Sequence, residues 1–457
     1  MPYSDIPSKR IESHSATCAS TVIALLCKSL TGSQPADKAL AAHLKANHQL
    51  GSRDRRIISE TLFSVLRWWG WLKHLAPEAF RVDIEAKREP DSEKQRPEEW
   101  YALLCAAWLL EGRTELPPSA QWWLHHALER PGEIEQLPPN AAITERRKLL
   151  RPFFGKGNTL PPMPMEALVP EWCKSFVEAP VEWTEFIRWM QNRPPVWLRA
   201  QTRDVDRLVA ELRHAEIKAT PHPAIRHALK ASFSGINLRT LPQFQKGLIE
   251  VQDLASQAIS LVCAPAPGER WWDTCAGAGG KTLHLAFLMQ GKGVITASDN
   301  RVFKLEELKQ RAKRCAFSNI ITKEWLGIDV PRYHGHFQGV LVDAPCSCSG
   351  VWARSPWLRW TTSPDEIPAL TRLQAQLLEN ASHAVAPGGT LVYATCSVFT
   401  CENQDVTRSF LEKHPEFAPD DFVSPLDGST CHGQLQIWPW DGDCDGMFVA
   451  RFKRIQP

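Results

Sequence analysis

The second half of the chain alternates short apolar runs with longer amphipathic ones, and several of the apolar runs end on an acid. Trp271-Trp272-Asp273 closes a short strand, and a glycine-rich turn then opens a helix from Thr282 to Met289. Residues 293–298 read as a second strand ending at Asp299, followed by a helix over 305–315. Residues 339–343 form a buried strand, 367–386 a helix and 388–395 a further strand. Strands separated by helices share a sheet through crossover connections, so the pattern predicts an α/β fold with a doubly wound parallel sheet. Ligands then bind at the carboxyl ends of the strands.

The first half has a different texture. Residues 14–77 read as helical, punctuated at Gly32-Ser33 and Gly51-Ser52. Ile58, Leu62, Val65 and Trp69 form one apolar stripe, with Arg53, Arg55, Arg56 and Arg67 available for the polar side. A mixed-charge segment from Lys87 to Glu99 reads as a solvated loop before a helix over 100–110. Prolines crowd residues 113–180, as a join between domains would, and Glu182–Gln191 suits a short helix. Between Arg199 and Lys246 nine Lys/Arg face four Asp/Glu, a local excess that fits either a solvated face or a phosphate-contacting surface. The expected division is 1–135 helical, 136–195 a proline-rich linker, 196–250 a small basic α/β part and 251–457 the sheet domain.

A net charge of +2 means that a polyanion must be met by a local patch rather than by the global field. Nineteen Trp beside four Tyr point to packing, since Trp is mostly buried. The N-terminal MPYSDIPSKR lacks the apolar core of a secretory signal, and no run approaches the ~18 apolar residues of a membrane span, so a cytoplasmic protein is expected. Thirteen cysteines contain no CxxC pair, which argues against a disulfide framework and against a tetrahedral zinc site; no metal is expected.

Cys275-Ala276-Gly277-Ala278-Gly279-Gly280-Lys281 sets three glycines between a strand and a helix, where backbone N–H groups can approach a ligand closely. A P-loop is excluded, because the position six before Lys281 is Cys275 rather than glycine. Asp299, after the next strand, suits either ribose hydroxyls or a plain helix cap. Asp343-Ala344-Pro345-Cys346-Ser347 and Ala394-Thr395-Cys396-Ser397 each follow a strand, so Cys346 and Cys396 converge on one cleft. A thiol is what cytosine C5 chemistry requires: addition at C6 makes C5 nucleophilic, turning one hard step into two easier ones. Asp343 could hydrogen-bond the N3/N4 edge of such a ring. Spacing does not settle which cysteine attacks. Cys348 receives no role.

From about Val196 to Phe452 these motifs resemble the NOP2/Sun (NSUN) RNA cytosine-C5 methyltransferases. The resemblance runs through Val251–Ser256, Asp299 with Lys304, Gly327-Ile328-Asp329, the two cysteine motifs, Arg354 with Pro356, Glu402-Asn403 and Asp445–Phe448. It implies a Rossmann-like S-adenosylmethionine-dependent methyltransferase sheet, carrying a small basic α/β domain and an N-terminal all-helical domain. It makes Cys396 the nucleophile and Cys346 the group that assists product release, with Lys281 and Asp343 facing the base. It places S-adenosylmethionine against Cys275, Ala276, Gly277, Ala278, Gly279, Gly280, Lys281, Asp299, Lys304, Asp329 and Asp343. Gly277-Ala278 replaces the family's Ala-Pro, Lys304 its usual Arg, and Gln201 its usual Asn; none of these removes a catalytic group. Residues 52–67 resemble the NusB-like RNA-binding domain found in the bacterial ribosomal RNA small subunit methyltransferase B group. The implied activity is C5 methylation of cytosine in RNA, expected to be ribosomal RNA, by a monomer. The rivals are a ribosome-assembly factor with a vestigial fold and the same chemistry on tRNA.

Overall fold

The computed structural model describes residues 8–113, 115–129, 132, 137–138, 141–154, 159–178, 183–327, 329 and 333–456. The expectations for Met1–Pro7, Pro139, Pro180, Glu182 and Ile328 lie outside the described residues. The chain divides into two compact units. One comprises Met1–Ser175, Ala179–Asn192 and Trp352–Thr362; the other comprises Phe176–Glu178, Arg193–Val351 and Ser363–Pro457.

The first unit is helical, with helices over Ser8–Leu30, Ala36–Ala46, Ser52–Leu72, Glu78–Glu85, Tyr101–Leu110, Pro118–Ala127 and Trp183–Met190. Its core is built on tryptophan: Trp68, Trp71, Trp100, Trp108 and Trp123 are fully buried. Indole N–H groups are strong donors that need partners when buried. Trp71 donates to Pro164 O, Trp108 to Thr61 Oγ1 and Trp123 to Ser15 O. The stretch read as a linker contributes Ile143, Leu150, Met163, Leu168 and Val169 to this core, because the apolar residues between its prolines still find burial in short 3-10 turns and extended pieces. Arg67, expected on the polar face, is instead buried and paired with Glu111 at 2.7 Å. The loop expected over 87–99 holds two 3-10 turns, Ser92–Lys94 and Pro97–Trp100, and is otherwise largely exposed.

Trp352–Thr362 belongs to this unit although the sequence around it forms the other. Trp357 is buried in the helical core, Arg359 is fully buried and donates to Leu168 O, Met190 O and Trp352 O, and Trp360 donates to Leu66 O.

The second unit holds two main sheets. Strands β1 (Val196–Ala200), β2 (Lys218–Pro221), β3 (Ala228–Ser232) and β4 (Ile249–Val251) form an antiparallel sheet in the order β2-β3-β1-β4. The larger sheet contains β5 (Arg270–Asp273), β6 (Val294–Asp299), β7 (Ile320–Glu324), β8 (Phe337–Asp343) and β9 (Val385–Thr395). After β10 (Phe417–Pro419) and a two-stranded hairpin of β11 (Phe422–Val423) with β12 (Thr430–Cys431), β13 (Gln434–Ile437) and β14 (Met447–Arg454) complete it. Its order is β10-β14-β9-β8-β5-β6-β7, with β13 on β14. β5 through β9 are mutually parallel, while β14 runs antiparallel to β9. The chain leaves β5 toward β6 and β7, then returns to its other side as β8. A ligand crevice opens at such a reversal of strand order.

Candidate active site

Four neighbouring strand ends, those of β9, β8, β5 and β6, build the site. β5 ends at Asp273 and runs into the glycine turn, with the next helix spanning Gly280–Leu288. Ala276 N–H donates to Ser298 O and Gly279 N–H to Ala276 O, each at 2.8 Å. Gly277 (φ +53°) and Gly279 (φ +87°) adopt left-handed backbone, which glycine enters without strain. A Cβ at Gly279 would lie 2.6 Å from Leu308 Cγ. At Gly277 and Gly280 the nearest atoms to a Cβ would be side-chain ends at 3.9 Å, so the backbone there stays open to a ligand.

Asp299, at the end of β6, accepts Gly277 N–H at 2.8 Å. Arg301 closes a fork on it, Nε to Oδ1 at 2.8 Å and Nη2 to Oδ2 at 3.0 Å. Burial pushes this carboxyl up, but the hydrogen bonds from Arg301 and Gly277 outweigh it and hold Asp299 below its ordinary value. Two further arginines fix the turn from outside. Arg311 donates to Ala278 O at 2.7 Å and to Glu250 of β4 at 2.8 Å. Buried Arg199 of β1 donates to Gly280 O at 2.8 Å, to Gln201 Oε1 at 2.7 Å and to Gln252. Arg199, counted in the basic excess of this region, is therefore committed to protein carbonyls.

β8 and β9 pair in parallel with Asp343 opposite Ala394, and this register sets their trailing loops side by side. Cys346 Sγ and Cys396 Sγ are 3.4 Å apart. Lys281 Nζ lies 2.7 Å from Asp343 Oδ2, with the lysine side chain only 8% exposed. Burial opposes the lysine charge, yet Asp343 holds Lys281 above its ordinary value. Burial in turn lifts Asp343 against the pull of Lys281. Hydrogen bonds from Cys346 and Cys348 hold the Cys396 thiol well below its ordinary value against burial, with Lys281 adding to the effect. Hydrogen bonds with Cys348 and Cys396, then burial, push Cys346 well up. The pair is thus electrically unequal, with the thiolate favoured at Cys396 and the thiol at Cys346.

One residue given no role in the sequence reading holds the two loops together. Glu402 is fully buried and accepts Ser347 N–H at 2.8 Å, the Ser347 and Ser397 hydroxyls, and Gln374 Nε2 at 3.0 Å. Ser347 and Ser397 are the residues after the two cysteines. The Glu402-Asn403 dipeptide was the available signal, but nothing local says that an acid there is buried between two serines. Cys348 is also drawn in, with the sulfurs of Cys346, Cys348 and Cys396 all within 4.8 Å of one another. Cys275 is half-buried beside the turn. Lys304 pairs with Glu307 at 2.8 Å, and Asp329 accepts Trp325 Nε1 at 3.1 Å.

Residues 260–453, which contain β5 to β9 and both cysteine loops, match the model of the 16S rRNA methyltransferase RsmB/F family. This part of the chain is similar to the methyltransferase domain of that family. The chain is 29% identical over 420 residues to ribosomal RNA small subunit methyltransferase B of Salmonella paratyphi A, spanning 88% of this chain and 91% of the relative. The crystal structure of the protein PH0851 matches with TM-score 0.72 and 26% identity over 95% of this chain and 98% of its own. That of NSun6 from Pyrococcus horikoshii with SFG matches with TM-score 0.54 and 20% identity over 63% of this chain and 97% of its own, a likeness of fold. The cofactor of this methyltransferase is S-adenosylmethionine. The open space beside Gly277 and Gly280, the Gly280 N–H at the helix start and the acid at the end of β6 suit it, since they offer room for close approach, a donor to polar atoms and a carboxylate to ribose hydroxyls.

Proposed function

We propose that this methyltransferase modifies C5 of a cytosine in RNA, with ribosomal RNA as substrate in the cytoplasm, through a covalent bond between Cys396 and C6 of the base. The 3.4 Å approach of Cys346 and Cys396, with only Cys396 favoured as thiolate, carries this reading. Cys396 Sγ bonds to C6, and the C5–C6 π electrons move onto C5. When bound, S-adenosylmethionine supplies the electrophilic methyl group that C5 takes. Loss of the C5 proton then restores the double bond and expels Cys396 as thiolate. Asp343, raised by burial and tied to Lys281, would hold the N3/N4 edge while charge develops on the ring. Cys346, kept protonated, offers a hydrogen bond to the departing sulfur. Cys275–Lys281 and Asp299 would hold the cofactor, with Lys304 in the helix that follows β6 and Asp329 in the segment that follows β7.

In the helical unit, residues 8–129 supply an RNA-binding surface in this reading. Arg10, Arg53, Arg56 and Arg113 line one cavity of about 630 Å³ there, together with Asp54, Glu60 and Glu115. Among the described residues no helix is long and apolar enough to cross a membrane.

The test is trapping. Incubated with substrate RNA and cofactor, Cys346→Ala is expected to accumulate an enzyme–RNA adduct that survives a denaturing gel. Cys396→Ser is expected to lose turnover and form no adduct while still binding cofactor. An adduct from Cys396→Ser instead would reverse the two roles, and methylation by Cys396→Ala would leave a vestigial fold as the better account.

A further inference from the structure

Cys348 lies two residues beyond Cys346, on the segment that carries the strand end into the cleft. Its backbone is left-handed, φ +57°, a conformation that residues bearing a Cβ seldom adopt and glycine adopts freely. At this position the left-handed backbone carries a thiol into contact with two others. Its Sγ also lies 3.5 Å from Cys346 O. Strain kept at a functional cleft calls for an account in terms of what it positions.

We propose that Cys346, Cys348 and Cys396 form a binding site for a thiophilic d¹⁰ cation of the zinc class, and that its occupancy blocks the catalytic thiol. The sulfurs of Cys346 and Cys396 are 3.4 Å apart and all three lie within 4.8 Å of one another. A tetrahedral ion with Zn–S bonds of about 2.3 Å needs its sulfurs roughly 3.8 Å apart, inside that range. Soft thiolates select such ions over magnesium or calcium. On binding, the Cys346 and Cys348 thiols lose their protons and, with the Cys396 thiolate, form three S–metal bonds, with no change of oxidation state. A divalent ion with three thiolates carries one net negative charge, which suits a cluster whose Cys396 lies in the field of Lys281. A tetrahedral ion would leave its fourth position to water. Binding rests on the sulfur geometry alone, whereas the block on catalysis rests on the proposed role of Cys396.

The experiment titrates the reduced, cofactor-free full chain with Cd²⁺, reading the ultraviolet sulfur-to-metal absorption, with Zn²⁺ as competitor. Wild type is compared with Cys348→Gly, which relieves the backbone, and Cys348→Ser, which keeps the side chain's size without the soft ligand. The wild type is expected to take up one equivalent that Zn²⁺ displaces, and both variants to bind it weaker by on the order of a hundredfold, the scale of losing one thiolate bond. Methylation by Cys348→Gly, measured against its own metal-free rate, is expected to be insensitive to Zn²⁺, while wild type is inhibited and recovers with a chelator. Equal Cd²⁺ affinity in wild type and both variants would overturn the site. A clear loss of binding in the variants, with the Zn²⁺-loaded wild type still methylating at full rate, would uphold the site and overturn the role given to Cys396.

Discussion

Glu402 sits between two loops, each of which carries one of the two neighbouring cysteines, and its carboxylate is satisfied by a backbone N–H, two hydroxyls and an amide rather than by a cation. A buried carboxylate so engaged fixes the direction of whatever precedes each serine, and here that is Cys346 and Cys396. Glu402→Ala is expected to lower kcat by roughly tenfold to a hundredfold, the usual cost of losing an orienting partner, with cofactor affinity unchanged. Isothermal titration with the cofactor beside single-turnover kinetics checks this, and Glu402→Gln is expected to recover part of the rate. Asp273 makes a different prediction. Burial pushes its carboxyl from 3.8 up to about 7, against the hydrogen bond from Thr282. A raised carboxyl contributes stability that is complete below its ordinary value and lost as pH rises through about 7. Relative to Asp273→Asn, the wild type is therefore expected to lose stability between about pH 4 and pH 7, read by denaturant unfolding across that window.

The glycine turn depends on one residue more than on the other two. Gly279 combines positive φ with backbone packed onto Leu308, so Gly279→Ala must both strain the chain and displace a buried leucine. The expected cost is about 1–3 kcal/mol in stability, with a larger loss of cofactor affinity than Gly280→Ala causes, measured by thermal unfolding with and without cofactor. The turn and the parallel strands flanking it were legible in the sequence because buried strands are continuous apolar runs and their ends are marked by acids or glycine. Element limits were less so. The helix expected to start at Leu305 begins at Val302, and the one expected to run to Ala386 ends at Ser382, because β9 already starts at Val385 ahead of Gly388-Gly389. What stayed illegible depends on distant partners. Arg67 reads as a surface residue on helical periodicity, yet it pairs with Glu111 and donates to Ala353 O, 286 positions away. Glu250 gives no local sign that it will join Arg311 and Arg314. Likewise, the convergence of Cys348 depends on a backbone conformation that no residue pattern announces.

At the scale of the whole molecule, the chain is not two modules joined end to end. The helical unit includes Trp352–Thr362, which follows the Cys346 loop by a few residues, and Arg359 within it satisfies three carbonyls of that unit. Residues 193–457 made alone are expected to expose the otherwise buried Trp352 and Trp357 and the partly buried Trp360, with increased binding of a hydrophobic dye and a tendency to aggregate. Residues 1–192 made alone are expected to unfold at a lower temperature than the same unit in the full chain, and a synthetic peptide of residues 352–362 is expected to restore part of the difference. Swapping the N-terminal part for that of a relative by a single crossover would thus split one core between two ancestries. The helices and the key that locks them have to be inherited as matched pieces, though most of the catalytic sequence lies between them in the gene.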